Sequence, residues 1–231
     1  MEAQAKEKQE KETVKAAAGE LMHKDEYEFT FYDPQDEVCD LTTEEEAGTF
    51  KSVVEYYKNG EVSTPEGTES IWDVKYYNTM FPTRNDELSS GWNNSELITR
   101  SSVNDLSNEQ SLYDADPEGD QTNGSISVQL DGGGVPTIGW TFPLVDSTIE
   151  NVSNEFENYG RWITTINGGV EQTDRVSTEP GVRVSNSAGD IGFDHSHKLT
   201  YVQDPVACGV GYEIDEKVGY TGVLRRILSD L

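Results

Sequence analysis

From Tyr27 onward, short runs of alternating apolar and polar residues recur, each closed by turn-forming residues. No other feature restricts the fold of this chain as strongly, because a period of two belongs to strands and not to helices. Tyr27, Phe29 and Phe31 alternate with Glu28 and Thr30, which puts the three rings on one face of a strand ended by Asp33-Pro34. Strand-like runs follow at 37–42, 50–57, 70–77, 96–100, 125–130, 137–145, 161–166, 181–185, 192–203, 209–214 and 218–228. Turns are expected at Asn59-Gly60, Pro65-Glu66-Gly67, Asn93-Asn94, Asp131-Gly132-Gly133-Gly134, Asn167-Gly168-Gly169 and Ser187-Ala188-Gly189. With no repeat and no strand–helix alternation, the expected fold class is all-β, a sandwich or barrel. The end of the chain stays open: Tyr220–Leu228 reads as a strand buried on both faces, or Val223, Leu224, Ile227, Leu228 and Leu231 as one face of a helix.

Charge divides the chain into two parts. Of 231 residues, 44 are acidic and 17 are Lys or Arg, a formal net charge of −27. Residues 1–24 hold five Lys and five Glu and are neutral, so residues 25–231 carry the whole excess. No Lys occurs between Lys75 and Lys198. Such a surface repels phosphate, which excludes nucleic acid as a partner. It suits a protein working in molar salt, where the Debye length is about 3 Å and self-repulsion is screened. Residues 1–24 are expected to form an arm carrying Lys6, Lys8, Lys11, Lys15 and Leu21, with helix-favouring composition over 10–23, that orders against partners. Residues 25–231 form the body, and its most polar stretch, 84–124, is expected to be a long loop or projecting insertion. No run of 18 apolar residues exists to cross a membrane as a helix, and the first 20 residues lack the apolar core of a secretory signal.

Candidate chemistry is sparse. His195-Ser196-His197 would place two imidazoles on one face of a strand, the start of a metal site. The surroundings echo the first cupin motif, with Gly189 and Gly209 at its ends, but Tyr201 or Val202 stands where that motif needs Glu and a third His is missing. Two ligands hold a metal weakly, so both rings are expected to be structural or surface groups. Asp114, Asp116, Glu118 and Asp120 alternate ahead of Ser125 like the front half of a calcium loop, with Gly119 at the sixth position. Ser125 replaces the closing Glu, and the plainer expectation is a solvated acidic loop. No cofactor is expected, surface-bound cations being the one ligand class these carboxylates allow. Cys39 and Cys208 are expected to be buried thiols and not a disulfide. Sequons stand at Asn93, Asn123 and Asn151.

Taken together, the length, the acidity, the arm 1–24, the strand pattern from Tyr27 and the apolar end at Leu231 resemble the larger major capsid protein of tailless icosahedral haloarchaeal viruses with an internal membrane. The resemblance implies a single vertical jelly roll in which 84–124 contributes to an outward tower. It implies no enzymatic activity and a place in the virion shell after assembly in the host cytoplasm. The implied partners are further copies, a smaller major capsid protein, minor capsid proteins and a nearby membrane vesicle that the chain does not span. Two other readings compete with it. One is a cupin-type metal protein built on His195 and His197. The other is a haloarchaeal surface or carbohydrate-binding β-sandwich that uses Trp72, Trp92 or Tyr113 as stacking platforms.

The charge asymmetry predicts that folding depends on salt. Moving the protein from molar salt to below roughly 0.5 M should lower its melting temperature as screening is lost. Superimposable melting curves at the two salt levels would contradict this.

Overall fold

The computed structural model describes residues 19–32, 46–85, 90–103, 110–167, 175–187, 191–203 and 213–224. Among the described residues, thirteen strands run in chain order: β1 Glu20–Tyr32, β2 Glu46–Thr64, β3 Gly67–Pro82, β4 Arg84–Asn85, β5 Ser90–Val103, β6 Gln110–Asp116, β7 Gln121–Leu130, β8 Ile138–Asn151, β9 Tyr159–Ile166, β10 Val176–Thr178, β11 Gly181–Asn186, β12 Ile191–Gln203 and β13 Glu213–Leu224. They form two antiparallel sheets, ordered β1-β2-β3-β11-β6 with β10 beside β3, and β13-β12-β5-β9-β8-β7 with β4 beside β5. The fold is therefore all-β, a jelly-roll-like double-sheet sandwich and not a closed barrel.

Alternation along each strand decides what lies between the sheets. On β2 the inward residues are Phe50, Ser52, Val54 and Tyr56; on β3 they are Met80, Asn78, Tyr76, Val74 and Trp72, all buried. Facing them are Leu97, Thr99 and Ser101 of β5 and Leu199, His197, His195 and Phe193 of β12. Read across the four strands, the order is apolar, polar, apolar. One apolar cluster gathers Phe31, Phe50, Met80, Trp92, Leu97, Leu199 and Tyr201, and the other gathers Val54, Trp72, Val74, Trp162, Val182 and Phe193 with their neighbours. A polar layer separates the two.

Several expectations are corrected. Strand β1 begins at Glu20, so the last residues of the proposed 1–24 arm, including Leu21, are strand and not helix. Lys6, Lys8, Lys11 and Lys15 lie outside the described residues, as do Cys39, Cys208 and the run 37–42. Over its described residues, the stretch 84–124 is not a projecting insertion: β5 sits inside the second sheet between β12 and β9, and β6 edges the first sheet beside β11. It reads as polar because Thr99 and Ser101 supply the interior polar layer. Pro65-Glu66-Gly67 does turn the chain, between β2 and β3. Asn59-Gly60 instead lies inside β2 at a register shift, and Asn93-Asn94 lies inside β5. The terminal segment is a strand as far as Leu224.

On the face of the first sheet opposite Trp72 and Val74, the register partners Asp73 and Arg183 form a bidentate ion pair. Nε reaches Oδ1 at 2.6 Å and an Nη reaches Oδ2 at 3.0 Å, with side-chain exposures of 0% and 1%. Burial pushes the Asp73 carboxyl up, while Arg183 and Asn59 pull it back towards the ionised form. Removing one partner of such a pair strands the other charge away from water. Arg183→Met is expected to destabilise the fold by about 3–5 kcal/mol, read from the denaturant midpoint. A shift of under about 1 kcal/mol, the size of an exposed pair, would contradict this assignment.

Candidate functional site

The interior polar layer holds two side-by-side hydrogen-bonded chains, each joining the two sheets. Ser52 Oγ donates to Asn78 Oδ1 at 2.7 Å, and Asn78 Nδ2 donates to Thr99 Oγ1 at 3.1 Å. Thr99 Oγ1 lies 3.3 Å from His197 Nδ1. Alongside, Tyr76 donates its hydroxyl to Ser101 Oγ at 2.7 Å, and Ser101 Oγ lies 3.0 Å from His195 Nδ1. The far nitrogen of His195 is 3.2 Å from the Tyr56 hydroxyl. Phe193 stacks on His195 and Phe50 packs on His197. Both histidines share one face as their spacing demanded, but that face is the core and the groups described around them are hydroxyls and rings. Among the described residues no three His, Cys, Asp or Glu side chains converge on a point that could hold a metal.

The carboxylate row does not form a calcium loop. Asp114 and Asp116 are buried in β6, and all four of their oxygens accept backbone N–H groups. Asp114 takes Ala115 and Asp131, each at 2.8 Å; Asp116 takes Glu118 at 2.9 Å and Gln129 at 2.8 Å. Glu118 and Asp120 are exposed on the turn that follows.

These two carboxylates are straps across a neighbouring element, the β7–β8 hairpin. Along the described residues β7 pairs with β8 alone, and β8 joins β9 only over Ser147–Asn151. Both strands bend at one level, where Asn123 (φ 43°) and Gly124 (φ 110°) face Asp146 (φ 44°) at a register shift. Beyond the bend the two faces of the hairpin differ sharply. Ile126 pairs with Phe142, Val128 with Trp140 and Leu130 with Ile138, whereas Ser125 pairs with Pro143, Ser127 with Thr141 and Gln129 with Gly139. The tip, with Gly132, Gly133 and Gly134 all at positive φ, folds onto the outer face of the first sheet. There Arg183 donates to Gly132 O at 3.2 Å and to Pro136 O at 3.0 Å, and Asn59 Nδ2 donates to Pro136 O at 2.8 Å. Trp140 Nε1 donates to Glu179 O at 2.8 Å, with Lys75 Nζ 4.8 Å from its ring centroid.

Composition singles this hairpin out. In a chain with 26% charged residues, residues 121–145 contain a single charge, Asp131. The gap is visible in the sequence, but a strand-by-strand reading hides it, because each half looks like an ordinary half-buried strand.

No family model matches the chain, and no curated protein does. Solved structures do resemble it. A "pore forming protein" aligns over 90% of this chain and 96% of its own, at 7% identity and a TM-score of 0.50. Clostridium perfringens delta-toxin covers 87% and 92%, at 10% identity and a TM-score of 0.47. The membrane-inserted form of the Clostridium perfringens NetB toxin covers 86% and 94%, at 6% identity and a TM-score of 0.37. The first likeness supports the sandwich fold.

Burial drives both imidazoles down from 6.5 to about 3, and His197 adds to the effect on His195. The rings are neutral in the fold and take up protons when unfolded. Their stability contribution is therefore complete above about pH 6.5 and falls as the pH drops towards 3. At pH 5 the loss is about 2 kcal/mol per ring. Asp114 acts in the opposite sense. Burial lifts its carboxyl to about 6 against the pull of the Asp131 and Ala115 N–H groups, so its contribution is lost as the pH rises from 3.8 through 6. Burial raises Asp73 and Asp116 in the same sense as Asp114, so the fall in stability that the two rings cause between pH 7 and pH 5 is isolated by comparing two proteins. The fall should be smaller in the His195→Gln/His197→Gln variant, compared by denaturant titration at both pH values. An equal fall in the two proteins would contradict the assignment.

Proposed function

We propose that this chain is a membrane-active, pore-forming protein whose β7–β8 hairpin leaves the body and enters a lipid bilayer. The observation that carries the reading is the nearly charge-free, two-faced hairpin over 121–145 in an otherwise strongly acidic chain. Strand β7 has 10 residues, the length that crosses hydrocarbon as a tilted strand. The face with Ile126, Val128, Leu130, Ile138, Phe142 and Leu144 would meet lipid, and the face with Ser125, Ser127, Gln129 and Thr141 would line water. One hairpin cannot satisfy its outer backbone groups in hydrocarbon, so hairpins from several copies must close into a barrel. Bending at Asn123-Gly124 and Asp146 provides the hinge. Release requires the apolar face to leave the larger core cluster and the contacts of Arg183, Asn59, Asp114, Asp116 and Trp140 to break. The first structural neighbour is itself a pore forming protein, which agrees with this reading.

The shell-protein reading remains as a second proposal, favoured by Leu21 and Met22, which stand exposed at the start of β1 directly after the lysine-bearing arm. On that reading they are subunit contacts.

A disulfide across the dock separates the two. A Cβ built on Gly60 comes within 2.9 Å of Val135 Cγ1, so Gly60→Cys with Val135→Cys, in a background with Cys39 and Cys208 replaced by Ser, should tie the hairpin tip to β2. The oxidised protein is expected to leave dye-loaded vesicles intact, and reduction should restore leakage to the level of the cysteine-free protein. If that parent never releases dye from any vesicle, and the chain is found in icosahedral particles from its native source, the pore reading is wrong and the shell reading takes its place.

A further inference from the structure

Asn123, which the membrane reading places at the hinge of the hairpin, also stands in a setting that permits a reaction of its own. The sequence contains three Asn-Gly pairs, at 59, 123 and 167. In such a pair the glycine leaves the following amide nitrogen open to approach the asparagine side chain. The structure treats the three carboxamides differently. Asn59 Nδ2 is held by Asp73 Oδ2 and Pro136 O, each at 2.8 Å. Asn167 Nδ2 donates to Thr148 Oγ1 at 2.8 Å. Asn123 is exposed, and its described hydrogen bond is made by the oxygen, which accepts the Ser147 N–H at 2.9 Å. Nothing lies within 4 Å of a Cβ built on Gly124, so the next residue has room to move.

We propose that Asn123 is a self-modification site, converting through a cyclic imide to aspartate and isoaspartate. The Gly124 backbone nitrogen loses its proton to solvent base and bonds to Asn123 Cγ. The Ser147 N–H then points at the oxygen on which negative charge develops, as a hydrogen-bond donor should to favour that step. The Cγ–Nδ2 bond breaks and ammonia leaves with a proton from water. Water next opens the imide at either carbonyl, giving aspartate or, with the main chain rerouted through Cβ, isoaspartate. No oxidant or enzyme is required. The product carries a new carboxylate beside Ser147, the residue after Asp146, at the level where the hairpin bends. Asn59 would first have to surrender two hydrogen bonds, one of them to a carboxylate, and is therefore slower by about tenfold or more.

The test is peptide mapping by mass spectrometry of the full chain aged at pH 8 in molar salt, with isoaspartate identified by enzymatic methylation. The expected result is a mass gain of about 1 Da that accumulates first on the 123 peptide and much later, if at all, on the 59 peptide. Asn123→Gln should abolish the early signal without altering the far-ultraviolet circular dichroism. Equal or faster conversion at Asn59, or an unmodified Asn123 after the unfolded control has converted fully, would overturn the proposal. Vesicle leakage plays no part in the readout, so the inference can fail while the membrane reading stands, and the reverse.

Discussion

The buried pair between Asp73 and Arg183 is the interaction on which the arrangement of this molecule depends. It lies on the outer face of the first sheet, where a sandwich would ordinarily meet water, and it is dry only because the β7–β8 tip covers it. The dependence is mutual. Without the tip, the pair would be an ordinary surface ion pair of little worth. Without Arg183, the Gly132 carbonyl would lose its described donor and the Pro136 carbonyl one of its two. Asn59 closes the bracket by reaching both Asp73 and Pro136. An intensely acidic body thus holds an almost uncharged hairpin by burying its apolar face (Ile126, Val128, Leu130, Ile138, Phe142 and Leu144) in the larger core cluster, while three side chains from β2, β3 and β11 and two carboxylates of β6 fix its tip and edge.

The interior shows a second balance between rigidity and polarity. A sandwich of this size could have a wholly apolar core, yet Ser52, Asn78, Thr99, Ser101, His195 and His197 run through its middle. Each polar group is costly alone and acceptable only within its hydrogen-bonded chain, and the two chains together fix how the sheets register on one another. The same connectivity makes them acid-sensitive, because the described groups facing His195 and His197 are Tyr56, Tyr76, Ser101, Thr99, Phe50 and Phe193, and none is a carboxylate that could compensate a charged ring.

Much of the fold was legible before the structure. Tyr27, Phe29 and Phe31 announced β1, and Pro65-Glu66-Gly67 announced the β2–β3 turn, because local alternation and turn chemistry suffice there. The failures have physical causes. Asn59-Gly60 and Asn93-Asn94 carry turn residues, but long strands absorb them, the first as a register shift in which Asn59 serves the Asp73 bracket. Stretch 84–124 looked like an insertion because polarity was equated with exposure, whereas Thr99 and Ser101 are polar and interior. Asp114 and Asp116 looked like part of a solvated acidic loop, but they lie buried in β6; spacing does not reveal that their oxygens are already taken by the N–H groups of Ala115, Glu118, Gln129 and Asp131. The missing charge over 121–145 needed no structure at all, only a count across two strands and the loop between them.

In this arrangement the hairpin is a separable unit whose tip is docked by the Arg183 bracket. Residue-resolved hydrogen exchange tests it most directly, comparing the wild-type chain with the Asp73→Asn/Arg183→Met variant, which leaves no unpaired charge behind. The account predicts that amides of 124–144 lose protection in the variant while those of β5, β9 and β12 keep theirs. Protection lost evenly across both sheets, or retained throughout the hairpin, would contradict it.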